Sequence, residues 1–301
     1  MRTLVTGANG FVGGHLLNLL MSRGDDVIAV SREDLDIRDA GVVDNLVRSA
    51  RPEAVYHLAA QASVARSFDD PIGTFEVNAL GTLALLEALR AHCPAARVLV
   101  ASSADTYGRV EPHEIPTAEE TPQRPLSPYA ASKVAQEALA MQYARTFGLH
   151  VVVTRSFNAI GPGQAATFAL ASFAAQLVEI GRGLREPVLS VGNLEVERDL
   201  IDVRDVVRAQ AMLLDADAAG EVFNICRGEG VRLRDALDVL IAVSGLQVSV
   251  VVDPRRLRPA DVLRMVGSNQ KLCATVPWST TISIKRSVQD LFALAMARGS
   301  R

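Results

Sequence analysis

From the first residues onward, short runs of Val, Ile, Leu and Ala alternate with longer stretches of helical period. The series begins "TLVTGA" (3–8), "GGHLLNLLMSRG" (13–24), "DVIAVS" (26–31), "AGVVDNLVRSA" (40–50). It continues "AVYHLAA" (54–60), "TFEVNALGTLALLEALRAH" (74–92) and "RVLVASS" (97–103). The short runs are not interrupted by polar residues at every second place, which is the pattern of strands buried on both faces of a parallel sheet. A doubly wound α/β fold with a parallel sheet is the reading. The rhythm carries on through a helix at 129–148 and a strand at 150–157, then loosens at "NAIGPGQ" (158–164), whose Gly and Pro mark a loop.

Beyond that loop the order of elements is harder to read. A helix ("FALASFAAQLVEIGRG", 168–183) and a short strand ("PVLSVG", 187–192) are followed by "EVFNIC" (221–226), a buried strand able to return to the first sheet. Short helical pieces follow at 232–245 and 287–297. This predicts residues 1–160 as a dinucleotide-binding domain, with a return segment at 200–226. Residues 161–199 and 227–301 then form a smaller α/β substrate domain.

Composition narrows the function classes. A chain of 301 residues that is 49% hydrophobic buries a sizeable core. Its net charge of −3 gives no basic field for nucleic acid or an anionic membrane, and neither is expected as a partner. No charged-then-apolar leader and no unbroken apolar run of about 20 residues is read in it, so the expected compartment is the cytosol. Cys93, Cys226 and Cys273 lack metal-ligand spacing and are expected to be incidental thiols, with no metal site.

The first strand runs into "TGANGFVGGHL" (6–16), a G-x-x-G-x-x-G turn of Gly7, Gly10 and Gly13 with Asn9, Phe11 and Val12 between them. Gly7 permits the tight turn, Gly10 the approach of a pyrophosphate, and Gly13 close packing of the helix whose amides face the anion. The second strand ends in Ser31-Arg32, where Asp or Glu would select NAD. An arginine there pairs with a 2′-phosphate, so NADP(H) is the preferred cofactor and NAD(H) the alternative. Asp36 and Ile37 in "LDIRD" are placed to face an adenine; the same residues also read as an ordinary charged helix start.

Tyr129 and Lys133 stand four apart in "SPYAASKVAQEAL", on one face of a helix. An ammonium beside a phenol is expected to lower its pKa toward neutral and bring proton transfer within reach. Behind a glycine-rich turn and a strand ending in serine, this pair becomes specific.

With "TGANGFVG", "HLAA" (57–60), "SSADTYG" (102–108), "SPYAASK" (127–133) and "RSFNAIGPGQ" (155–164), the chain resembles the extended short-chain dehydrogenase/reductase family, in the branch acting on nucleotide sugars. The resemblance implies that Ser103 hydrogen-bonds the reacting sugar oxygen, that Tyr129 is the acid/base and that Lys133 holds the nicotinamide ribose. It also places Leu58, Ala59 and Ala60 beside the cofactor. The C-terminal half is similar to GDP-sugar members, namely GDP-mannose 4,6-dehydratases and GDP-4-keto-6-deoxy-mannose reductases, through "SVGNLEVERDLIDVRDVVRA" (190–209) and "RLRPAD" (256–261). On that likeness Asn193, Arg198, Arg258 and Asp261 line the nucleotide, with arginine forks on the diphosphate and Asp261 on ribose hydroxyls, and Asn158 contacts a phosphate.

Two reactions compete for this site. A dehydratase needs an extra acid/base near C5 and C6, and in the family this is a glutamate two residues after the catalytic threonine. Here Asp105 stands there, one methylene shorter, and it also fits a turn role at the strand end. A 4-ketoreductase needs only a hydride and a proton from Tyr129. The expectation is reduction of GDP-4-keto-6-deoxy-D-mannose to GDP-D-rhamnose by a homodimer, with the dehydratase as first alternative. A 4-epimerase or a non-catalytic cofactor sensor stands second.

Overall fold

The computed structural model describes residues 1–257 and 262–299, so Arg258 and Asp261 of the expected nucleotide clamp lie outside the described residues. The first half runs β1 (Arg2–Thr6), α1 (Phe11–Ser22), β2 (Asp26–Val30), α2 (Ala40–Ala50), β3 (Ala54–His57), α3 (Val64–Asp69) and α4 (Pro71–Phe75). A π-helical segment (Glu76–Leu80) leads into α5 (Gly81–His92), then β4 (Arg97–Ser103), α6 (Pro128–Phe147) and β5 (His150–Ser156). The second half runs β6 (Asn158–Ile160), α7 (Ala169–Gly181), β7 (Val188–Val191), β8 (Glu197–Asp202), α8 (Val203–Asp215) and β9 (Glu221–Ile225). It ends with β10 (Gly230–Arg232), α9 (Leu233–Ser244), β11 (Ser249–Val252), β12 (Arg264–Met265), α10 (Gln270–Thr275) and α11 (Ile284–Gly299).

Six strands form a parallel sheet in the order β2-β1-β3-β4-β5-β9. Leu4, Val55, Val98, Val100, Val151 and Val153 point to one face and pack under α2, α5 and α6. Val5, Tyr56 and Leu99 point to the other, under α1 and α8. Both faces are therefore dry, which is why these strands carry no polar alternation. Burying one such side chain fully contributes about 1.5–3 kcal/mol, so the sheet is a rigid platform for whatever its strand ends carry. The chain turns from β1 to β2 on one side and crosses to β3 on the other. The carboxyl ends of β1 and β3 thus flank the crevice where doubly wound sheets bind ligands.

The second unit packs α7, α9 and α11 around Phe173, Leu177, Leu237 and Leu240. β8 pairs with β6 and β12 in parallel and with β10 antiparallel, while β7 and β11 form a separate parallel pair. Pro71–His92 is a continuous helical run, long and apolar enough by length and composition to cross a bilayer, but half of it is buried inside the fold. Its apolar residues Leu85, Leu86 and Leu89 cover the sheet, which accounts for the composition.

Candidate active site

The glycine turn sits at the mouth of the switch-point crevice. Gly7 has φ +74°, and a Cβ there would lie 2.7 Å from the Ala59 amide nitrogen and 2.8 Å from the Leu58 carbonyl carbon. Leu58 and Ala59, at the end of β3, therefore close against the turn only because Gly7 has no side chain. A Cβ on Gly13 would come within 2.3 Å of the Gly7 carbonyl oxygen, so glycine also sets how closely α1 meets β1. Gly10 is the N-cap of α1 and supplies no side-chain cap, leaving the first-turn amides of Phe11, Val12 and Gly13 without a side-chain acceptor from the cap. A backbone cradle of this shape, at a helix N-terminus with exposed Asn9 and Gly10, fits a pyrophosphate.

At the end of β2, Asp34 accepts from the Ser31 amide at 2.9 Å and from the Ser31 hydroxyl at 2.6 Å, folding its carboxylate over the strand end. Arg32 is exposed beside it. Asp36 is taken up by Arg38, whose guanidinium donates at 2.9 and 2.6 Å and holds the carboxyl down to about 2. Ile37 is turned into the core against Gly81, where a Cβ would be 2.8 Å from the Ile37 Cγ2. Asp39 caps α2 through the Gly41 and Val42 amides. "DIRD" is thus a helix entry in which Asp36 is held by Arg38, Asp39 caps α2 and the Ile37 side chain is packed in the core.

The catalytic candidates meet where β4 ends and α6 begins. Ser127 caps α6 by accepting from the Ala130 amide at 3.1 Å, and Pro128 occupies its first turn, so Tyr129 and Lys133 start the helix on the face toward the sheet. Ser103 ends β4, and its hydroxyl accepts from the Asp105 amide at 3.1 Å, capping the 3₁₀ turn Ala104–Tyr107. The Ser103 side chain also lies close enough to the Tyr129 phenol to favour its ionised form. Asp105 is exposed, yet its charge acts on the same phenol. Ser103, Asp105 and Tyr129 therefore converge.

The electrostatics correct one expectation. Burial pushes the Tyr129 phenol well above its ordinary value, Asp105 adds in the same direction, and the Ser103 side chain opposes them. Lys133 does not lower it. The ammonium is buried and is itself brought down to about 7 by desolvation, with Glu137 pulling the other way. Its donors go to the Ala101 carbonyl at 2.7 Å and to Gln136 Oε1 at 2.8 Å. Spacing puts Tyr129 and Lys133 on one face, but burial decides the sign of both shifts.

Several neighbours carry no sequence signal. Glu137 makes a buried pair with Arg155 at 2.7 Å and takes the Ser102 hydroxyl, while Tyr107 donates to Asn224 at 2.7 Å. Ser102 and Tyr107 are thus packing residues. Asn78, inside the π-helical segment, accepts from the Gln61 amide at 2.8 Å and donates to Ser132 Oγ at 2.9 Å, one helical turn from Tyr129. A π segment is the kind of irregularity that marks functional helices, and "EVNALGT" gives no hint of it.

On the sugar side the expected residues are spread. Asn158 is exposed on β6. Asn193 Oδ1 accepts from the Glu195 amide at 3.0 Å, and Arg198 on β8 donates to its neighbour Glu197 at 3.0 Å. Asp199 is fully buried and accepts from the Arg227 and Gly228 amides at 2.7 and 2.9 Å; burial raises its carboxyl to about 6. It pins the loop at Arg227–Gly228. Arg256 is exposed and lies against this region: its carbonyl would be 2.7 Å from a Cβ on Gly192, and its guanidinium donates to Ser172 at 3.2 Å.

The family described as GDP-mannose 4,6 dehydratase matches residues 33–291. A GDP-6-deoxy-D-mannose reductase of Pseudomonas aeruginosa is 38% identical over 97% of this chain and 96% of its own length. A GDP-mannose 4,6-dehydratase of Yersinia enterocolitica is 28% identical over 97% of this chain and 93% of its own. Among solved structures, RMD from Pseudomonas aeruginosa complexed with NADPH superposes with a TM-score of 0.91 at 36% identity, covering 99% of this chain and all of that one.

Proposed function

We propose that this chain, which belongs to the GDP-mannose 4,6-dehydratase family of nucleotide-sugar short-chain dehydrogenases/reductases, is an NADPH-dependent reductase of GDP-4-keto-6-deoxy-D-mannose giving GDP-D-rhamnose. The observation that carries this reading is the 38% identity to a GDP-6-deoxy-D-mannose reductase along nearly the whole chain, against 28% to a dehydratase of equal coverage. Asp105 in place of the dehydratase glutamate supports it.

A bound nicotinamide supplies the hydride that reduces the sugar's C4 carbonyl. The protein's part is to hold and to protonate. The Gly7–Gly13 turn and the α1 amides receive the pyrophosphate, Leu58–Ala60 wall the crevice, and Arg32 faces the adenosine 2′-phosphate, which favours NADPH over NADH. Lys133 holds the nicotinamide ribose. Ser103 donates to the carbonyl oxygen, and Tyr129 gives that oxygen its proton as alkoxide charge develops. The raised phenol suits this direction: at neutral pH Tyr129 carries the proton that reduction must deliver. Asn158, Asn193 and Arg198, with Arg256 beside them, receive the GDP moiety. Residues 1–160 with 200–226 form the cofactor domain in this reading, and 161–199 with 227–301 the sugar-nucleotide domain. The enzyme works in the cytosol as a homodimer through the helices around 74–92 and 129–147.

Incubating the purified protein with the GDP-4-keto sugar and either NADPH or NADH, with product identified by NMR, tests the reading. NADPH consumption with formation of GDP-D-rhamnose is expected. No consumption, together with loss of water from GDP-mannose, would establish the dehydratase instead.

A further inference from the structure

Lys133 is one of three lysines in the chain and is buried, whereas Lys271 is half-buried and Lys285 exposed. Inside the protein an ammonium needs acceptors for its donors, and two of them are the Ala101 carbonyl and the Oε1 of Gln136, three residues further along α6. Gln136 is itself fully buried, and its orientation is determined by its partners.

Thr82 Oγ1 is the pivot. It lies 2.7 Å from the Asn78 carbonyl, 2.7 Å from Gln136 Nε2 and 2.9 Å from His57 Nε2. A carbonyl only accepts, so the single hydroxyl proton of Thr82 goes to Asn78. Gln136 Nε2 and His57 Nε2 must then both donate to Thr82. His57 Nδ1 is left to accept from Thr6 Oγ1 at 2.8 Å, and Thr6 accepts from the Ala59 amide at 3.3 Å. The donors run in one sense only, from the Ala59 amide beside the glycine turn through β1 and β3 to α5. On the other side of Thr82 the Gln136 carbonyl oxygen is turned to Lys133. Reversing the Gln136 amide would set its Nε2 against the ammonium and its oxygen against a lone pair of Thr82.

We propose that Gln136 is the positioning residue of Lys133, holding its ammonium at the end of β4 in the charged state, with Thr82 and a neutral His57 locking the Gln136 amide. The proposal rests on Lys133 belonging to the catalytic site as read above. His57 is kept neutral by burial, with the Lys133 charge adding to the effect, and its pKa falls to about 3. The other titratable groups around Lys133 are Glu137, matched by Arg155 from β5, and Tyr129 one turn earlier, which keeps its proton and feels Asp105. Gln136 supplies the neutral acceptor among them.

The test is a lysine ¹³Cε NMR titration of the ligand-free protein, the three signals assigned with Lys271→Arg and Lys285→Arg. Burial brings the Lys133 ammonium down to about 7, and its signal is the one followed. Gln136→Met, similar in volume but without the acceptor, moves that midpoint down by about one pH unit, and Gln136→Glu moves it up by about as much. The high-pH limb of kcat/KM for the keto sugar moves the same way in each variant. Both midpoints staying at the wild-type position would overturn the proposal. If Gln136→Met does not fold, Gln136→Glu alone decides, since a packing role predicts no upward shift. Opposite shifts without turnover of the keto sugar would uphold the positioning role and defeat the functional reading, so the two fail separately.

Discussion

Lys133, Gln136 and Thr82 are buried and bonded across β4, α5 and α6 with Tyr129 buried beside them, whereas Asn158 is exposed, and Asn193 and Arg198 are half-buried, Asn193 bonded within its own turn and Arg198 to the Glu197 and Leu263 carbonyls. The two sides of the crevice thus meet different demands. Proton transfer needs its groups fixed to fractions of an ångström before substrate arrives, and a network of buried, mutually satisfied donors gives that rigidity. Diphosphate recognition needs charge within reach, and an arginine on a long stem can supply it after a local rearrangement. The difference predicts that substitutions on the catalytic side change turnover and those on the sugar side change affinity.

The strongest way to break this contrast is Tyr129→Phe. It removes one hydroxyl and keeps the ring in its buried place, so the protein stays folded and still binds its nicotinamide cofactor. The expected result is a fall in kcat of about 10³-fold, within the usual range for losing a general acid. Steady-state kinetics with the keto sugar measures it. A kcat within about threefold of wild type would mean that another group delivers the proton.

Arg198→Ala probes the other side. Arg198 stands on β8, which is held by three neighbouring strands, so the fold tolerates the change. We expect KM for the GDP sugar to rise about tenfold, the equivalent of about 1.4 kcal/mol, with kcat within about twofold of wild type. An equal loss in kcat would show that this arginine orients the reacting carbonyl, and the contrast between the two sides would then fail.

The same contrast governs what the sequence makes legible. β1 to β5, the Gly7–Gly13 turn and the Tyr129–Lys133 spacing are local patterns, each written within a few residues, and the fold and the proposed catalytic set follow from them. The irregular second half is less legible, because its strands are two to six residues long and pair across large separations. Gln136 becomes visible only when residues 6, 57, 82 and 136 are brought together from four elements, a coincidence of tertiary packing that no spacing encodes. His57 is the one trace of it, an imidazole in an otherwise apolar strand. The sign of the Tyr129 shift is hidden for a related reason. Helical spacing gives the Tyr129–Lys133 proximity but not the degree of burial, and burial is the first cause of both shifts.

Asp105 carries the smallest expected effect and the finest distinction. Its carboxylate is exposed and raises the Tyr129 phenol from close by, so Asp105→Ala removes a charge that makes the phenol a weaker acid. Burial, the larger cause, remains, and the phenol keeps its proton at neutral pH. A reductase should therefore retain kcat within about threefold, with the phenol's own titration moving slightly down. A dehydratase needs this carboxylate to take the C5 proton and would lose turnover by about 10²-fold or more. Measuring both NADPH-dependent reduction and water loss from GDP-mannose in this one variant separates a residue that tunes Tyr129 from one that performs its own proton transfer.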